Sequence, residues 1–257
     1  MSLPASPAPP AARPVARALA EPLLLSATRI STFLGTRPLT AATGFFFERG
    51  PRLFLVTSRH VLYDAANKHL PDRIEITVHT DPVNLTRTVV LSLLLYRDGQ
   101  ADWRQGKDSG GEIDVAALEI DRSVLPPDAV LSCFGTANLQ PELDAIAVGA
   151  TVLVPGFPLG FYDTVHHLPV VRHAIIASSF GVRFQGQGYF LTDARMHRGS
   201  SGSPVVMRDT SAGAAMPWRL LGVHSARMDM GTRDLEKDES LGLNCAWYAD
   251  VLLTLTA

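Results

Sequence analysis

The sequence lacks any apolar run long enough to cross a lipid bilayer. Its longest apolar runs are short, such as VVLSLLLY at Val89–Tyr96. A membrane-spanning helix needs roughly 20 apolar residues. We therefore expect neither a membrane-embedded chain nor a membrane partner.

The sequence also lacks an excess of charge of either sign. Its 23 basic and 25 acidic residues give a formal net charge of -2 at pH 7. Because proteins that bind nucleic acid usually present strongly basic surfaces, we expect no nucleic-acid partner. The composition gives no signal of an oligomeric state.

Cysteine is scarce. Cys133 and Cys245 lie in unlike contexts without metal-binding spacing, so they either pair with each other or stay reduced, and reduced thiols are the favoured interpretation. The H-E-x-x-H pattern is absent, and His166 and His167 lie in a predicted loop. We therefore expect neither a metal nor another cofactor.

Residues 1–22 are rich in proline and alanine, carry two arginines and contain no apolar core. Such a segment buries too little surface to offset its ordering entropy, so we expect a flexible arm. It lacks the apolar core of a secretory signal, since the short LLLSA follows Glu21 and Pro22. Cytoplasmic localisation is expected, and export or organelle targeting is the alternative.

Sustained helical periodicity is nearly missing. TGFFFERG and RLFLVTS flank Gly50-Pro51 as a hairpin would, and Arg73–Thr80 alternates polar and apolar residues as a half-buried strand does. Similar short strands follow in the second half of the chain. The pattern predicts an all-β protein with a short C-terminal helix at WYADVLLTLTA.

A segment rich in prolines and turn residues divides these strands into two groups. We predict an N-terminal unit at about 23–121, a linker at about 122–148, a C-terminal unit at about 149–246 and a terminal helix at about 247–256.

The segment RGSSGSP at 198–204 contains three serines and two glycines within seven residues. Gly199 and Gly202 permit a tight bend that presents Ser201 and turns the amides of Gly199 and Ser201 inward, as an oxyanion hole requires. The pattern G-x-S-x-G is absent because Ser203 occupies its last position. An α/β-hydrolase is therefore disfavoured.

A serine hydroxyl becomes a strong nucleophile only beside a base, usually a histidine oriented by a carboxylate. His60 follows the apolar strand of FLVTSRHVLYDA, although alone it is more simply a capping or surface histidine. Asp114 lies between Ile113 and Val115, where burial is costly without hydrogen bonds. The alternative for Asp114 is a residue at the start of a strand, bound by loop amides.

Together, VTSRH, IDVAAL, RGSSGSPVV and LLGVHSA resemble, in this order, blocks of the trypsin/chymotrypsin-like serine proteases. The resemblance covers about Thr43 to Tyr248 and is nearest to bacterial members without PDZ domains, including HtrA-like catalytic domains and glutamyl endopeptidases. It implies two six-stranded antiparallel β-barrels with the site in the cleft between them.

The resemblance implies a role for each matching residue. Ser201 would be the nucleophile, His60 the general base and then acid, and Asp114 the group that orients the imidazole. The amides of Gly199 and Ser201 would bind the oxyanion. Ser225 matches a serine that lies beside the aspartate.

The resemblance also places residues near the pocket for the substrate residue before the scissile bond, P1. Arg195 matches the pocket floor, and His224 stands where glutamyl endopeptidases also have a histidine. This pair would favour an acidic or amide side chain. The alternative is that Arg195 pairs with Asp193 while His224 packs in the wall.

The sequence thus predicts a serine endopeptidase that acts on proteins or peptides, with a dedicated regulatory substrate as one form of that function. A protease-like binding module without turnover is the alternative. The charged stretch Arg227–Ser240 is expected to form a solvated loop beside the substrate groove.

Overall fold

The computed structural model describes residues 20–209, 216–229 and 240–257. They form mainly antiparallel strands, namely β1 (Ala27–Leu34), β2 (Arg37–Arg49), β3 (Arg52–Thr57), β4 (Arg73–His79), β5 (Thr88–Leu94), β6 (Tyr96–Arg97), β7 (Gln100–Ala101), β8 (Trp103–Asp108), β9 (Gly111–Ile120), β10 (Phe134–Gly135), β11 (Thr151–Gly156), β12 (Val170–Ile176), β13 (Tyr189–Asp193), β14 (Pro204–Arg208), β15 (Trp218–Asp229) and β16 (Ser240–Tyr248). The α-helices of the described residues are α1 (Pro22–Ser26), α2 (Arg59–Leu62) and α3 (Leu252–Leu255).

The N-terminal half forms one sheet with the order β5-β4-β1-β2-β3-β9-β8, and β10 pairs with β2. Gly50, with a φ of 59°, makes the turn between β2 and β3. The predicted hairpin is therefore confirmed. The closure of this sheet into a six-stranded barrel stays a prediction.

The C-terminal half forms a closed barrel with the order β11-β12-β13-β16-β15-β14. Its strands place alternate side chains inside, as Val152 and Val154 of β11 show, because successive side chains of a strand point to opposite faces. The predicted six-stranded barrel is confirmed in this half.

The predicted C-terminal helix is confirmed, but it is shorter than expected. Helix α3 begins at Leu252, after a 3-10 turn at Ala249–Val251. Trp247 and Tyr248 belong instead to β16, because their backbones pair with β13 and β15.

One buried cluster joins the two halves. Phe45, Phe47 and Phe54 of the N-terminal sheet share it with Trp218 and Trp247 of the barrel. The linker takes part through Phe134 of β10, whose ring meets that of Phe45 edge to face at a centroid distance of 5.7 Å. This shared core fixes the two halves against each other and so fixes the cleft between them.

Cys133 and Cys245 are both free thiols, as favoured from the sequence. Residues 1–19 of the predicted arm and most of the predicted Arg227–Ser240 loop lie outside the described residues. Within the described ranges, no helix has the length and apolar character needed to cross a membrane.

We expect Phe45→Ala to lower the free energy of unfolding by about 3–5 kcal/mol, because it opens a cavity in the shared core. Urea unfolding followed by tryptophan fluorescence measures the change. The matched control is Phe161→Ala: this ring is 69% exposed, so its removal should change stability by less than about 0.5 kcal/mol. Equal losses in the two variants would contradict the shared core.

Candidate active site

Ser201 lies in the loop between β13 and β14, and two glycines give this loop its shape. Gly199 has a φ of 93° and Gly202 a φ of 85°, in the left-handed region that side chains rarely adopt. A Cβ on Gly199 would collide with the Phe157 carbonyl, and one on Gly202 with the Thr43 carbonyl. Both positions therefore require glycine for conformation and for space.

Two carbonyl contacts orient the amides around Ser201. The Arg198 carbonyl accepts from Leu159 N at 2.6 Å, and the Ser200 carbonyl accepts from Ser203 N at 3.0 Å. In a trans peptide the C=O and the following N–H point in opposite directions. The N–H groups of Gly199 and Ser201 therefore point away from these partners, and neither donates to another described residue. They form a pair of available donors beside the serine.

His60 is held by one carboxylate through both its backbone and its ring. It lies in α2, directly after β3. Its backbone N–H donates to Asp114 Oδ1 at 2.8 Å, and its Nδ1 lies 2.7 Å from Asp114 Oδ2. This double contact fixes the ring orientation and leaves Nε2 as the ring nitrogen available for chemistry.

Asp114, in β9, accepts a third hydrogen bond, from the Ser225 hydroxyl of β15. Burial raises the pKa of Asp114, but the hydrogen bonds from His60 and Ser225 and the charge interaction with His60 outweigh it, so the pKa falls below its ordinary value. The carboxylate therefore stays ionised at neutral pH. Its partners are His60 and Ser225, rather than the loop amides of the alternative prediction.

The carboxylate in turn acts on His60. Burial lowers the pKa of His60, but the hydrogen bond and the negative charge of Asp114 have the larger combined effect, so the pKa is raised. The imidazole is thus a stronger base than an isolated histidine.

The Ser201 hydroxyl donates to the Ser225 carbonyl at 3.1 Å. The hydrogen bonds of the described residues include none between Ser201 Oγ and His60 Nε2. Ser225 consequently touches both ends of the arrangement, through its hydroxyl at Asp114 and its carbonyl at Ser201. His60, Gly199 and Ser201 line one open groove of about 820 Å³.

His224 and Arg195 differ in placement. His224 is buried, its Nδ1 has no hydrogen-bond partner among the described residues, and burial lowers its pKa to about 4. Arg195 is exposed and makes no hydrogen bond or ion pair with another described residue, Asp193 included. The structure therefore does not join the two by a direct contact.

Sequence reasoning missed Thr43 of β2. Its backbone N–H donates to the Ser201 carbonyl at 3.0 Å and its hydroxyl to the Gly199 carbonyl at 2.7 Å. Phe157 N donates to the same hydroxyl oxygen at 3.1 Å. The only local signal was a threonine in the otherwise apolar AATGFFF segment, a pattern that occurs in many strands.

Comparisons with known proteins identify a family and a similar fold. Residues 42–214 match a family model described as a trypsin-like peptidase domain. The chain is also similar to the crystal structure of the serine endoprotease from Yersinia pestis, with a TM-score of 0.52 and 15% sequence identity. That match covers 91% of this chain and 62% of the Yersinia chain. At this identity it supports the fold alone. A search of curated proteins found no match.

We expect Asp114→Asn to lower the pKa of His60, because the substitution removes the negative charge that outweighs burial. An NMR titration of the His60 ring protons measures the shift. Asp163→Asn is the matched control, since Asp163 contacts a different histidine, His166, at 2.8 Å. The His60 pKa should stay unchanged in that variant, and an equal value in Asp114→Asn and wild type would contradict the assigned contact.

Proposed function

This chain belongs to the trypsin-like peptidase family, and we propose that it hydrolyses peptide bonds as a serine endopeptidase. One observation carries the proposal. The same groove holds a serine, a histidine whose orientation and basicity are set by a carboxylate, and two amide donors beside the serine that have no partner among the described residues. Family and fold are those of a serine-type hydrolase, and the residue roles below are our assignment.

In the proposed reaction, Ser201 Oγ attacks the scissile carbonyl carbon while His60 Nε2 accepts its proton. Asp114 keeps its negative charge and stabilises the imidazolium that forms. His60 then gives the proton to the leaving amine, the C–N bond breaks, and an acyl ester on Ser201 remains. A water molecule then attacks that ester as His60 accepts its proton, the acyl C–O bond to Ser201 breaks, and His60 returns the proton to Ser201 Oγ.

The amides of Gly199 and Ser201 are assigned to the negative oxygen of the tetrahedral intermediate. Because these donors are fixed before the substrate binds, they need no reorganisation as charge develops. Each such donor is worth about 3–4 kcal/mol of barrier.

The alternative function, a protease-like binding module, has one observation in its favour: the Ser201 hydroxyl donates its hydrogen bond to the Ser225 carbonyl rather than to His60. Catalytic hydrogen bonds are often loose in proteins without substrate and tighten on binding. Since both partners of the proposed proton transfer line the same groove, we favour the enzyme. We also retain the expectations of a second barrel in the N-terminal half and of cytoplasmic localisation.

A fluorophosphonate probe should label the wild-type protein and fail to label Ser201→Ala, because the probe bonds to the serine oxygen. Casein cleavage should fall in parallel, by about a million-fold in kcat for a complete loss of the nucleophile. Ser179→Ala is the matched control, since Ser179 is exposed and its hydroxyl makes no hydrogen bond with another described residue. A folded wild type that neither labels nor cleaves would establish the binding module instead.

We further propose that the P1 pocket prefers amide or acidic side chains. The support is the unpartnered Nδ1 of His224, which lies in the strand that would form the pocket wall. With a pKa of about 4, His224 is neutral at pH 7. A neutral imidazole matches an uncharged amide directly, whereas a carboxylate would gain most when it shares a proton with the ring.

A peptide library with every residue at P1 tests this preference. We expect glutamine, asparagine, glutamate or aspartate before the cut, and a larger share of acidic residues as the pH is lowered. Cleavage only after lysine or arginine would contradict the proposal.

A further inference from the structure

The groove that begins at His60 and Ser201 carries an excess of positive charge. Its walls come from the start of β2 at 37–42, the turn at 64–69 and the turn at 159–160. Four cationic side chains line it: Arg29, Arg37, Lys68 and Arg198. They come from separate parts of the chain, and the fold brings them to one surface.

None of these four forms an ion pair with a described residue. Most of the other described arginines do pair with carboxylates: Arg52 lies 2.6 Å from Glu119, and Arg122 lies 2.5 Å from Glu48. The groove therefore concentrates cations that the protein leaves without counterions.

Arg29 adds an independent observation. Its Nε is buried and has no hydrogen-bond partner within the described structure, although Nη1 donates to Ser31 Oγ at 2.7 Å. The guanidinium also lies 5.8 Å from the centroid of the Tyr162 ring. A buried N–H without an acceptor is costly, and the planar fork of arginine suits a carboxylate. The third nitrogen, Nη2, makes no hydrogen bond with a described residue, so the side chain keeps donors for an anion in the groove that it lines.

The four cations of the groove outnumber its one lining carboxylate, Asp64. Asp64, the carboxylate in the groove wall, accepts from Asn67 Nδ2 at 2.7 Å and from Asn67 N at 3.2 Å. Glu75 lines a small adjoining cavity with Arg29 but pairs with Arg73 at 2.5 Å. His69 lines the groove and has its Nε2 2.9 Å from the Val61 carbonyl. The net charge presented to a ligand is therefore positive.

The position of the groove relative to β15 assigns it to one side of the cut. In the family resemblance, the β15 segment that includes Ser225 walls the pocket for the residue before the scissile bond. The groove contains no residue of β15, yet it shares Gly199 and Ser201 with the site. A substrate that crosses Ser201 would place the residues after the scissile bond in this groove.

Resting on the proposed function, we propose that the protein selects substrates with aspartate or glutamate among the residues that follow the scissile bond. Arg29 and Arg37 on β1 and β2, Lys68 on the turn and Arg198 beside the oxyanion amides bind these carboxylates. Charged groups at the edge of a binding site act mainly by raising the rate of association with an oppositely charged substrate. Because salt screens this attraction, the preference for acidic substrates weakens as the salt concentration rises.

Cleavage of matched peptides provides the first test. Two peptides share all residues up to the cut and carry either Glu-Asp-Glu-Asp or Gln-Asn-Gln-Asn after it. We expect kcat/KM for the acidic peptide to be about tenfold higher at low salt, with the ratio falling at high salt. Equal values in a protein that labels with fluorophosphonate would overturn the inference and leave the proposed function intact.

Binding to Ser201→Ala provides a second test that needs no turnover. The fluorescein-labelled acidic and amide peptides are titrated by anisotropy. Tighter binding of the acidic peptide by about tenfold supports the inference even if the wild type never labels, in which case only the proposed function fails. Equal affinity overturns the inference.

Charge-neutral variants assign the effect to the groove. Arg37→Gln with Lys68→Gln, and separately Arg29→Gln, should reduce the acidic preference to about twofold or threefold. Arg172→Gln is the matched control, because Arg172 also has no ion pair among the described residues but lies outside the groove. An equal decrease in the control would assign the preference to overall charge and overturn the groove as its cause.

Discussion

The arrangement around Ser201 depends on a set of hydrogen bonds to one buried threonine. Thr43 belongs to the N-terminal sheet, while the loop that it holds belongs to the C-terminal barrel. It donates from its N–H to the Ser201 carbonyl and from its hydroxyl to the Gly199 carbonyl, and its own carbonyl accepts from the Thr57 hydroxyl at 2.8 Å. Because its N–H, hydroxyl and carbonyl are all engaged, Thr43 ties the serine loop of one half to the strands of the other.

The second requirement is that a carboxylate remain charged while partly buried. Burial alone would favour the protonated form of Asp114. His60 and Ser225 reverse that preference with hydrogen bonds from two different elements, α2 and β15. The histidine gains basicity in the same exchange. The packing of the two halves, visible in the cluster around Phe45 and Trp247, therefore bears directly on proton affinity at the cleft.

The chemistry-bearing residues could be predicted because each has a distinctive neighbourhood. Ser201 stands between conformationally special glycines, and Asp114 interrupts an apolar strand. Thr43 could not be found in this way, since a threonine in a strand is ordinary and its value comes from a partner loop distant in sequence. The cationic groove could not be predicted for the same reason, since Arg29 and Arg198 are far apart in the sequence and only the fold brings them to one surface. The terminal helix was predicted too long because Trp247 and Tyr248 suit either a helix or a strand, and pairing with β13 and β15 decided the outcome.

The contact between Ser201 Oγ and the Ser225 carbonyl has a kinetic consequence. The backbone on either side of this serine is held by hydrogen bonds from Thr43, Leu159 and Ser203, so the side chain is freer to move than the loop. The remaining freedom is rotation about the Cα–Cβ bond of Ser201. Rotamer changes of exposed side chains occur within picoseconds to nanoseconds. The fraction of molecules ready for proton transfer is thus the population of the Ser201 rotamer that faces His60. That population depends on how strongly the Ser225 carbonyl and the His60 imidazole compete for the hydroxyl proton.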